Sequence, residues 1–357
     1  MSIVPVSRLR SIASHLSKVR QDSFISRMMS DQKADPPLRI VLGAMDFGRY
    51  AKEPDSFSMI DMFLNDGHSE IDTALMYAGG KSEKILGRHA VCPTPKVKLA
   101  TKVNPGGGKT LSYGSVMQQF ATCSGSLNVD SIDILYLHLP DHDSPIEETL
   151  RAVNDLHKKG KFRRFGLSNF SSWEVTRIWY ICKGNGWVMP TVYQGMYSAI
   201  TRSVEAELLP ALRTLGIQFY AYSPLGGGIL SGKHSFELAA APDSQAPGRF
   251  FGNNWASVYR DRYWHRDSFE AIDQIKAALK KNFGDEVTCA DASLRWVLHH
   301  SALKSSCGDG LILGASKKHH LEANLKAIHG GPLPEDVVAT FDNLWTVAAH
   351  HCPTYFR

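Results

Sequence analysis

Residues 70–83 read Glu-Ile-Asp-Thr-Ala-Leu-Met-Tyr-Ala-Gly-Gly-Lys-Ser-Glu, and this stretch decides how the rest of the chain is interpreted. Ile71 and the small residues after it are typical of a short buried strand. That assignment places Asp72 at the carboxyl end of the strand and Tyr77 in the loop that follows.

Two further polar residues close apolar, strand-like segments. Lys102 follows residues 97–101, and His138 follows residues 132–137. Segments of this kind normally bury hydrophobic side chains, so a Lys and a His at their tips need a reason. We infer that these residues and the 70–83 stretch share a site for proton transfer.

From residue 39 onward, eight strand-like segments alternate with amphipathic helical patterns. The predicted strands are 39–44, 70–74, 97–103, 131–139, 163–168, 191–194, 218–223 and 311–315. The predicted helices are 54–65, 81–88, 113–127, 145–159, 172–183, 204–215, 290–299 and 317–328. Strict alternation implies parallel strands joined by right-handed crossovers. Eight units over roughly 290 residues fit the α/β class and a (β/α)8 TIM barrel, which typically needs about 250.

The alternative α/β architecture is a doubly wound sheet. Such a sheet usually carries Gly-x-Gly-x-x-Gly after its first strand, where a dinucleotide binds. Here residues 42–48 read Leu-Gly-Ala-Met-Asp-Phe-Gly and lack that spacing. The barrel is therefore favoured, with a domain that spans residues 37–357.

Two segments exceed what eight units require. Residues 226–265 are far longer than a usual strand-to-helix loop, which predicts a flap or binding loop after strand 7. Residues 334–357 contain a helix and end in Cys-Pro-Thr-Tyr-Phe-Arg. We expect this tail to fold back over the barrel mouth; the alternative is a surface helix with a loose end.

Composition restricts the partners of the chain. The net charge of +5 is spread out, and no basic block points to nucleic acid. No apolar run approaches the ~20 residues of a membrane helix. The six cysteines lack Cys-x-x-Cys spacing, which predicts reduced thiols in an intracellular protein. Adjacent histidine pairs point apart on a helix, so no metal site is expected.

Residues 1–36 form an N-terminal extension of different composition. Basic residues precede the first acid, Asp22, among many serines and apolar residues at roughly helical spacing. This pattern suits a mitochondrial presequence or a disordered basic tail. The predicted location is therefore cytoplasmic, with a mitochondrial alternative.

Four residues from neighbouring strand ends suit proton transfer. Active sites of barrels form at the carboxyl ends of the strands, so Asp72, Tyr77, Lys102 and His138 should converge. A tyrosine with a pKa of ~10 needs a cation to stabilise its phenolate, and Lys102 can supply it. Asp72 can keep that Lys charged. His138 can orient a substrate oxygen, so the group would protonate a carbonyl that gains a hydride.

These residues resemble the Asp-Tyr-Lys-His tetrad of the aldo-keto reductases. The resemblance continues through residues 166–170, 193–194, 222–228 and 312–316, and it covers about residues 39–357. Residues 248–253, 259–264 and 352–357 are similar to the aflatoxin-aldehyde reductase branch, which includes succinic semialdehyde reductases. The resemblance implies an NADPH-dependent aldehyde or ketone reductase. Relatives also suggest a homodimer.

The resemblance also implies residues that hold NADPH. Residues expected at the nicotinamide carboxamide are Ser168, Asn169 and Gln194. Residues expected along the pyrophosphate are Ser223, Pro224, Leu225, Gly227, Ser231 and Lys233, with Arg249 closing over it. Residues expected at the adenosine end are Ser316, Lys317, His320 and Asn324. A helix that starts at Ser316 would attract a phosphate through its dipole. Many family members have Arg in place of His320, so the preference for NADPH over NADH stays open.

Substrate contacts are implied for His138, Arg262 and Arg357. A guanidinium group matches a carboxylate or dicarbonyl, so small acidic aldehydes, dialdehydes or dicarbonyls are the expected small-molecule carbonyl substrates. The alternative is that Arg262 belongs only to a solvated face. Two other functions stay open: a cofactor-binding regulatory subunit of the channel β-subunit type, and a secondary-metabolism dehydrogenase for a larger aromatic substrate.

Overall fold

A closed barrel of eight parallel strands, arranged in sequence order, forms the protein. The computed structural model describes residues 37–240, 248–253 and 255–357, so the predicted extension at residues 1–36 lies outside the described residues. The strands are β1 (Arg39–Gly43), β2 (Glu70–Asp72), β3 (Lys98–Val103), β4 (Ile132–Leu137), β5 (Phe162–Ser168), β6 (Pro190–Met196), β7 (Gln218–Tyr222) and β8 (Gly310–Gly314). The predicted barrel and all eight predicted strands are confirmed.

Helices cover the outside of the barrel. They are α1 (Glu53–Asn65), α2 (Lys81–Arg88), α3 (Tyr113–Leu127), α4 (Ile146–Lys158), α5 (Ser172–Asn185), α6 (Leu208–Leu215), α7 (Ala256–Tyr263), α8 (Arg266–Phe283), α9 (Cys289–His299), α10 (Lys318–Ile328) and α11 (Glu335–Ala348). The helix predicted over residues 204–215 is split: a 3-10 turn at Ser203–Glu205 precedes α6. In the described part of the chain, no helix is both long and apolar enough to span a bilayer.

Sequence reasoning omitted α8, the longest helix described. Its buried residues Phe269, Ile272, Ile275 and Leu279 recur at helical spacing, and the helix packs against α11 and α9. The spacing of these apolar residues in the sequence was therefore sufficient to predict α8. Counting one helix per strand left no place for additional helices between β7 and β8, where α7, α8 and α9 all lie.

The amino-terminal end of the barrel is closed by a network of charged and phenolic groups. The Arg39 guanidinium donates to the Tyr220 hydroxyl at 2.6 Å, and that hydroxyl donates to the Glu70 carboxylate at 3.1 Å. Arg164 donates to the same hydroxyl at 3.2 Å and to Asp133 at 3.1 Å. Because buried charges are stable only when paired, this closed network links five strands, β1, β2, β4, β5 and β7.

The opposite end of the barrel is crossed by the two extra segments. Residues 226–265 form the predicted long connection after β7, with a 3-10 turn at Gly226–Ser231, another at Phe236–Ala240, and α7. The tail folds back as predicted, because the Arg357 backbone N–H donates to the Asn169 carbonyl at the end of β5 at 3.0 Å. Tyr355 is buried, which contradicts the loose-end alternative.

Candidate active site

Lys102 is the centre of the cluster at the carboxyl end of the barrel. Its side chain is fully buried, and its ammonium group donates to Asp72 Oδ2 at 2.6 Å and to the Thr73 carbonyl at 2.7 Å. Asp72 ends β2 and Lys102 lies near the end of β3, so the pairing of these adjacent strands brings the two charges together. The ammonium group is thus held at one position by two short bonds.

Aromatic rings surround the same ammonium group. Lys102 Nζ lies 5.1 Å from the ring centre of Tyr77 and 5.5 Å from that of Tyr136. Burial lowers the pKa of Lys102, and the Asp72 carboxylate acts against this by favouring the charged form. Ring faces attract a cation, so the two tyrosines add to the stabilisation that Asp72 provides.

Tyr77 lies in a 3-10 turn after β2 and is half-buried. Burial and the negative charge of Asp72 raise the pKa of Tyr77 well above its usual value, and the Arg249 guanidinium acts in the opposite direction. The net shift is therefore opposite to the predicted effect of the Lys102 cation, because desolvation of the phenolate is the larger effect. At neutral pH, Tyr77 retains the proton that a general acid must donate.

His138 follows β4 and faces Tyr77 edge-on, with 5.8 Å between the ring centres. Burial and the nearby Lys102 charge lower the pKa of His138 to about 3, so its imidazole is neutral across the physiological range. Its Nδ1 atom is buried and has no hydrogen-bond partner among the described residues. A neutral imidazole with an unused nitrogen can bind a polar substrate atom.

Gln194 and Asn169 organise the residues around the tetrad. Gln194 donates to Asp72 Oδ1 at 2.8 Å, so each carboxylate oxygen of Asp72 has its own donor. Asn169 has a φ of +64° and donates to the Ser168 hydroxyl and the His138 carbonyl, each at 2.9 Å. Tyr222 donates to Asn169 Oδ1 at 3.0 Å. The three residues predicted for the carboxamide are thus together, and the Gln194 amide is bonded to Asp72.

The turn after β7 brings α7 close to the site. Ser223 has a φ of +57° and Gly227 a φ of +69°. A Cβ atom on Gly227 would lie 2.9 Å from the Tyr259 ring, so glycine is needed both for the turn and for the space. The Ser231 hydroxyl donates to the Gly228 carbonyl at 2.7 Å and closes the turn before Lys233. Pro224 and Leu225 lie within this turn.

Arg249 bridges the long connection after β7 to the loop after β1. Its guanidinium donates to the buried Asp46 carboxylate at 3.0 Å and lies 5.3 Å from the ring centre of Tyr259. Sequence reasoning did not predict Asp46, Tyr222 or Tyr259 as site residues. Asp46 lies three residues after the end of β1, at the carboxyl end of the barrel, and this position was the available signal in the sequence.

The residues predicted for the adenosine end cluster at the start of α10. This helix begins at Lys318, one residue after the start of the predicted range 317–328, and its N-cap residue Lys317 makes no side-chain capping bond. Ser316 Oγ lies 3.4 Å from His320 Nδ1, and the Asn324 amide donates to the Gly314 carbonyl at 3.5 Å. The first backbone N–H groups of a helix have no intrahelical partner, so the start of α10 can attract a phosphate group.

A cationic cluster surrounds His320. Burial lowers the pKa of His320, and the nearby His319, Lys233 and Lys317 lower it further. Lys233 comes from the turn after β7, so two distant segments contribute positive charge at one place. Such a cluster suits a phosphate group better than His320 alone.

Arg262 and Arg357 converge on Tyr222. Burial raises the pKa of Tyr222, and the guanidinium groups of Arg357 and Arg262 act against this by favouring the phenolate. Arg262 is half-buried, with its guanidinium 5.8 Å from the Tyr259 ring centre, so it is not on a fully solvated face. The Tyr222 hydroxyl is bonded to Asn169, which places both cations beside the tetrad.

Comparison with known proteins agrees with this arrangement. The family model described as the Aldo/keto reductase family matches residues 39–346. Aflatoxin B1 aldehyde reductase member 2 of Mus musculus is 47% identical over 355 residues and covers 96% of each chain. Aflatoxin B1 aldehyde reductase member 4 of Homo sapiens is 47% identical over 333 residues, 92% of this chain and 100% of that relative.

A solved structure shares the fold. The aldo/keto reductase from Klebsiella pneumoniae, crystallised in complex with NADP and acetate, superimposes with a TM-score of 0.63 at 23% identity. The match covers 89% of this chain and 93% of that chain. At this identity the likeness concerns the barrel architecture.

Proposed function

The chain belongs to the aldo/keto reductase family, and from that premise we propose that it is an NADP-dependent reductase of aldehydes and ketones in which Tyr77 is the proton donor. One observation carries the proposal: a protonated phenol and a neutral imidazole meet above a buried ammonium group that Asp72 holds at 2.6 Å. This is the arrangement that protonation of a carbonyl oxygen requires.

Each tetrad residue has a separate task in the reduction. His138 binds the carbonyl oxygen and orients it, since its imidazole is neutral and faces Tyr77 edge-on. Tyr77 donates its proton to the same oxygen. The phenolate that results is stabilised by Lys102, whose Nζ lies 5.1 Å from the ring centre. Asp72 keeps Lys102 charged throughout.

The barrel mouth fits NADPH, which supplies the hydride when bound. Ser168 and Asn169 present hydrogen-bonding groups beside His138. Arg249 bonds to Asp46 in the loop after β1, where it can cover a pyrophosphate. The N-terminus of α10 and the cations around His320 can hold a phosphate at the adenosine end.

The cations near Tyr222 favour an acidic substrate. Arg262 and Arg357 both lie close enough to the Tyr222 phenol to oppose the rise of its pKa. Two guanidinium groups beside a proton donor can bind a carboxylate or a second carbonyl while the reacting carbonyl faces Tyr77. The proposed substrates are therefore small acidic aldehydes and dicarbonyls.

Replacement of Tyr77 by Phe tests the proton donor. We expect turnover of succinic semialdehyde, followed by the loss of NADPH absorbance, to fall by about 10² to 10⁴, the usual contribution of a general acid. NADPH binding, followed by fluorescence, should be retained. The matched control is Tyr180→Phe, because Tyr180 is 62% exposed on α5. Undiminished turnover in Tyr77→Phe would remove the proposed mechanism.

A further inference from the structure

Three residues from separate segments fix the end of the tail, and we call them the tail anchor: Ser172, Glu207 and Tyr355. Tyr355 is only 7% exposed; its hydroxyl accepts the backbone N–H of Ser172 at 3.1 Å and donates to the Glu207 carboxylate at 3.2 Å. The Ser172 hydroxyl donates to the same carboxylate. One phenol thus satisfies a free N–H at the start of α5 and a carboxylate at the start of α6.

Beyond the anchor, the tail connects directly to the active site. The Arg357 backbone N–H donates to the Asn169 carbonyl at 3.0 Å, and the Asn169 side chain holds Ser168 and the His138 carbonyl. The Arg357 guanidinium donates to the Thr354 carbonyl at 2.9 Å, which keeps the tail in a compact turn. Only one residue separates Tyr355 from Arg357.

We propose that the tail anchor positions Arg357 for the recognition of anionic substrates, an inference that rests on the function proposed above. Consecutive Cα atoms are about 3.8 Å apart, so fixing Tyr355 confines the Arg357 backbone to a small volume. Release of the anchor lets the Arg357 guanidinium occupy many positions. Carboxylate binding then becomes weaker, because the guanidinium must lose this conformational entropy when the substrate binds. Proton transfer itself is unaffected, because the anchor does not touch Tyr77, Lys102 or His138.

The test compares a charged and an uncharged substrate in Tyr355→Phe. Succinic semialdehyde and butanal both have four carbons, and only the first carries a carboxylate. We expect KM for succinic semialdehyde to rise about tenfold, the usual effect of losing a hydrogen bond to a charged group, with kcat unchanged. KM for butanal should stay within about twofold. Tyr180→Phe on the exposed face of α5 is the matched control.

A KM for succinic semialdehyde that stays the same, or a KM that rises equally for both substrates, would overturn the proposal. Hydrogen exchange of the peptide 349–357 measures the anchor independently of any substrate. We expect faster exchange in Tyr355→Phe than in wild type or Tyr180→Phe; unchanged exchange overturns the anchor itself. If wild-type enzyme shows no preference for succinic semialdehyde over butanal, the proposed substrate class fails and the recognition role with it, whatever the exchange result.

Discussion

Replacement of Asp72 by Asn should separate the charge of Lys102 from the shape of the site. The substitution keeps the size of the side chain and removes the carboxylate that lies 2.6 Å from Lys102 Nζ. At an effective dielectric constant of ~20, two unit charges at that distance attract each other by about 6 kcal/mol. Burial of Lys102 already lowers its pKa, so loss of the attraction lowers the pKa further.

Both stability and activity should respond to this change. Removal of one partner of a buried ion pair typically costs about 3 to 5 kcal/mol of folding free energy. The relevant pH window lies between the lowered pKa of Lys102 in the folded state and its usual value in the unfolded state. Within this window the unfolded state binds more protons than the folded state, so the loss of folding free energy should become smaller as the pH rises. In the same window Lys102 loses its proton in the folded enzyme. Activity should therefore fall as the pH rises.

The assay is denaturant unfolding and kcat/KM from pH 5 to pH 9. The control is Asp273→Asn, because Asp273 pairs with Lys276 on the exposed face of α8, where an ion pair is worth at most about 1 kcal/mol. A pH profile of Asp72→Asn that parallels wild type would refute the reasoning. Such a profile would mean that the charge of Lys102 does not depend on Asp72.

Three further predictions concern the mouth of the barrel. Because the pKa of His138 is about 3, its NMR titration should show no protonation between pH 5 and pH 8, and a midpoint near 6.5 would contradict the burial argument. Arg249→Met should raise the Kd for NADPH about tenfold, because it removes the guanidinium group that bonds to Asp46 and can cover the pyrophosphate. The control is Arg177→Met, which breaks an exposed ion pair on α5 and should leave that Kd unchanged. Lys233→Met should lower the preference for NADPH over NADH about tenfold, while the Kd for NADH stays constant. Equally weaker binding of both cofactors would exclude a contact between Lys233 and the 2′-phosphate of NADPH.

Local patterns were sufficient to predict the strands and the convergence of the tetrad. Each strand has its own apolar run, and parallel strands in sequence order place Asp72, Lys102 and His138 on one edge. The contact between Arg249 and Asp46 joins residues 203 positions apart in two irregular segments. No periodic signal links such segments, because their backbones follow neither helical nor strand geometry.

The protonation of Tyr77 could not be predicted from residue types. A Lys near a Tyr favours the phenolate, whereas burial favours the phenol, and only coordinates show which effect is larger. The start of α10 lies one residue after the predicted start at residue 317. Ser316 is a good N-cap residue by type, but the chain enters the helix at Lys318, with Ser316 directed to His320.

The ionic network of Arg39, Glu70, Arg164 and Tyr220 at the amino-terminal end has a consequence for how this protein can change. It fastens the strands far from the chemistry, so side chains in the mouth can be exchanged without loosening the cylinder. Directed evolution toward new carbonyl compounds should therefore vary residues 255–264 and 354–357 and leave the four residues of this ionic network unchanged.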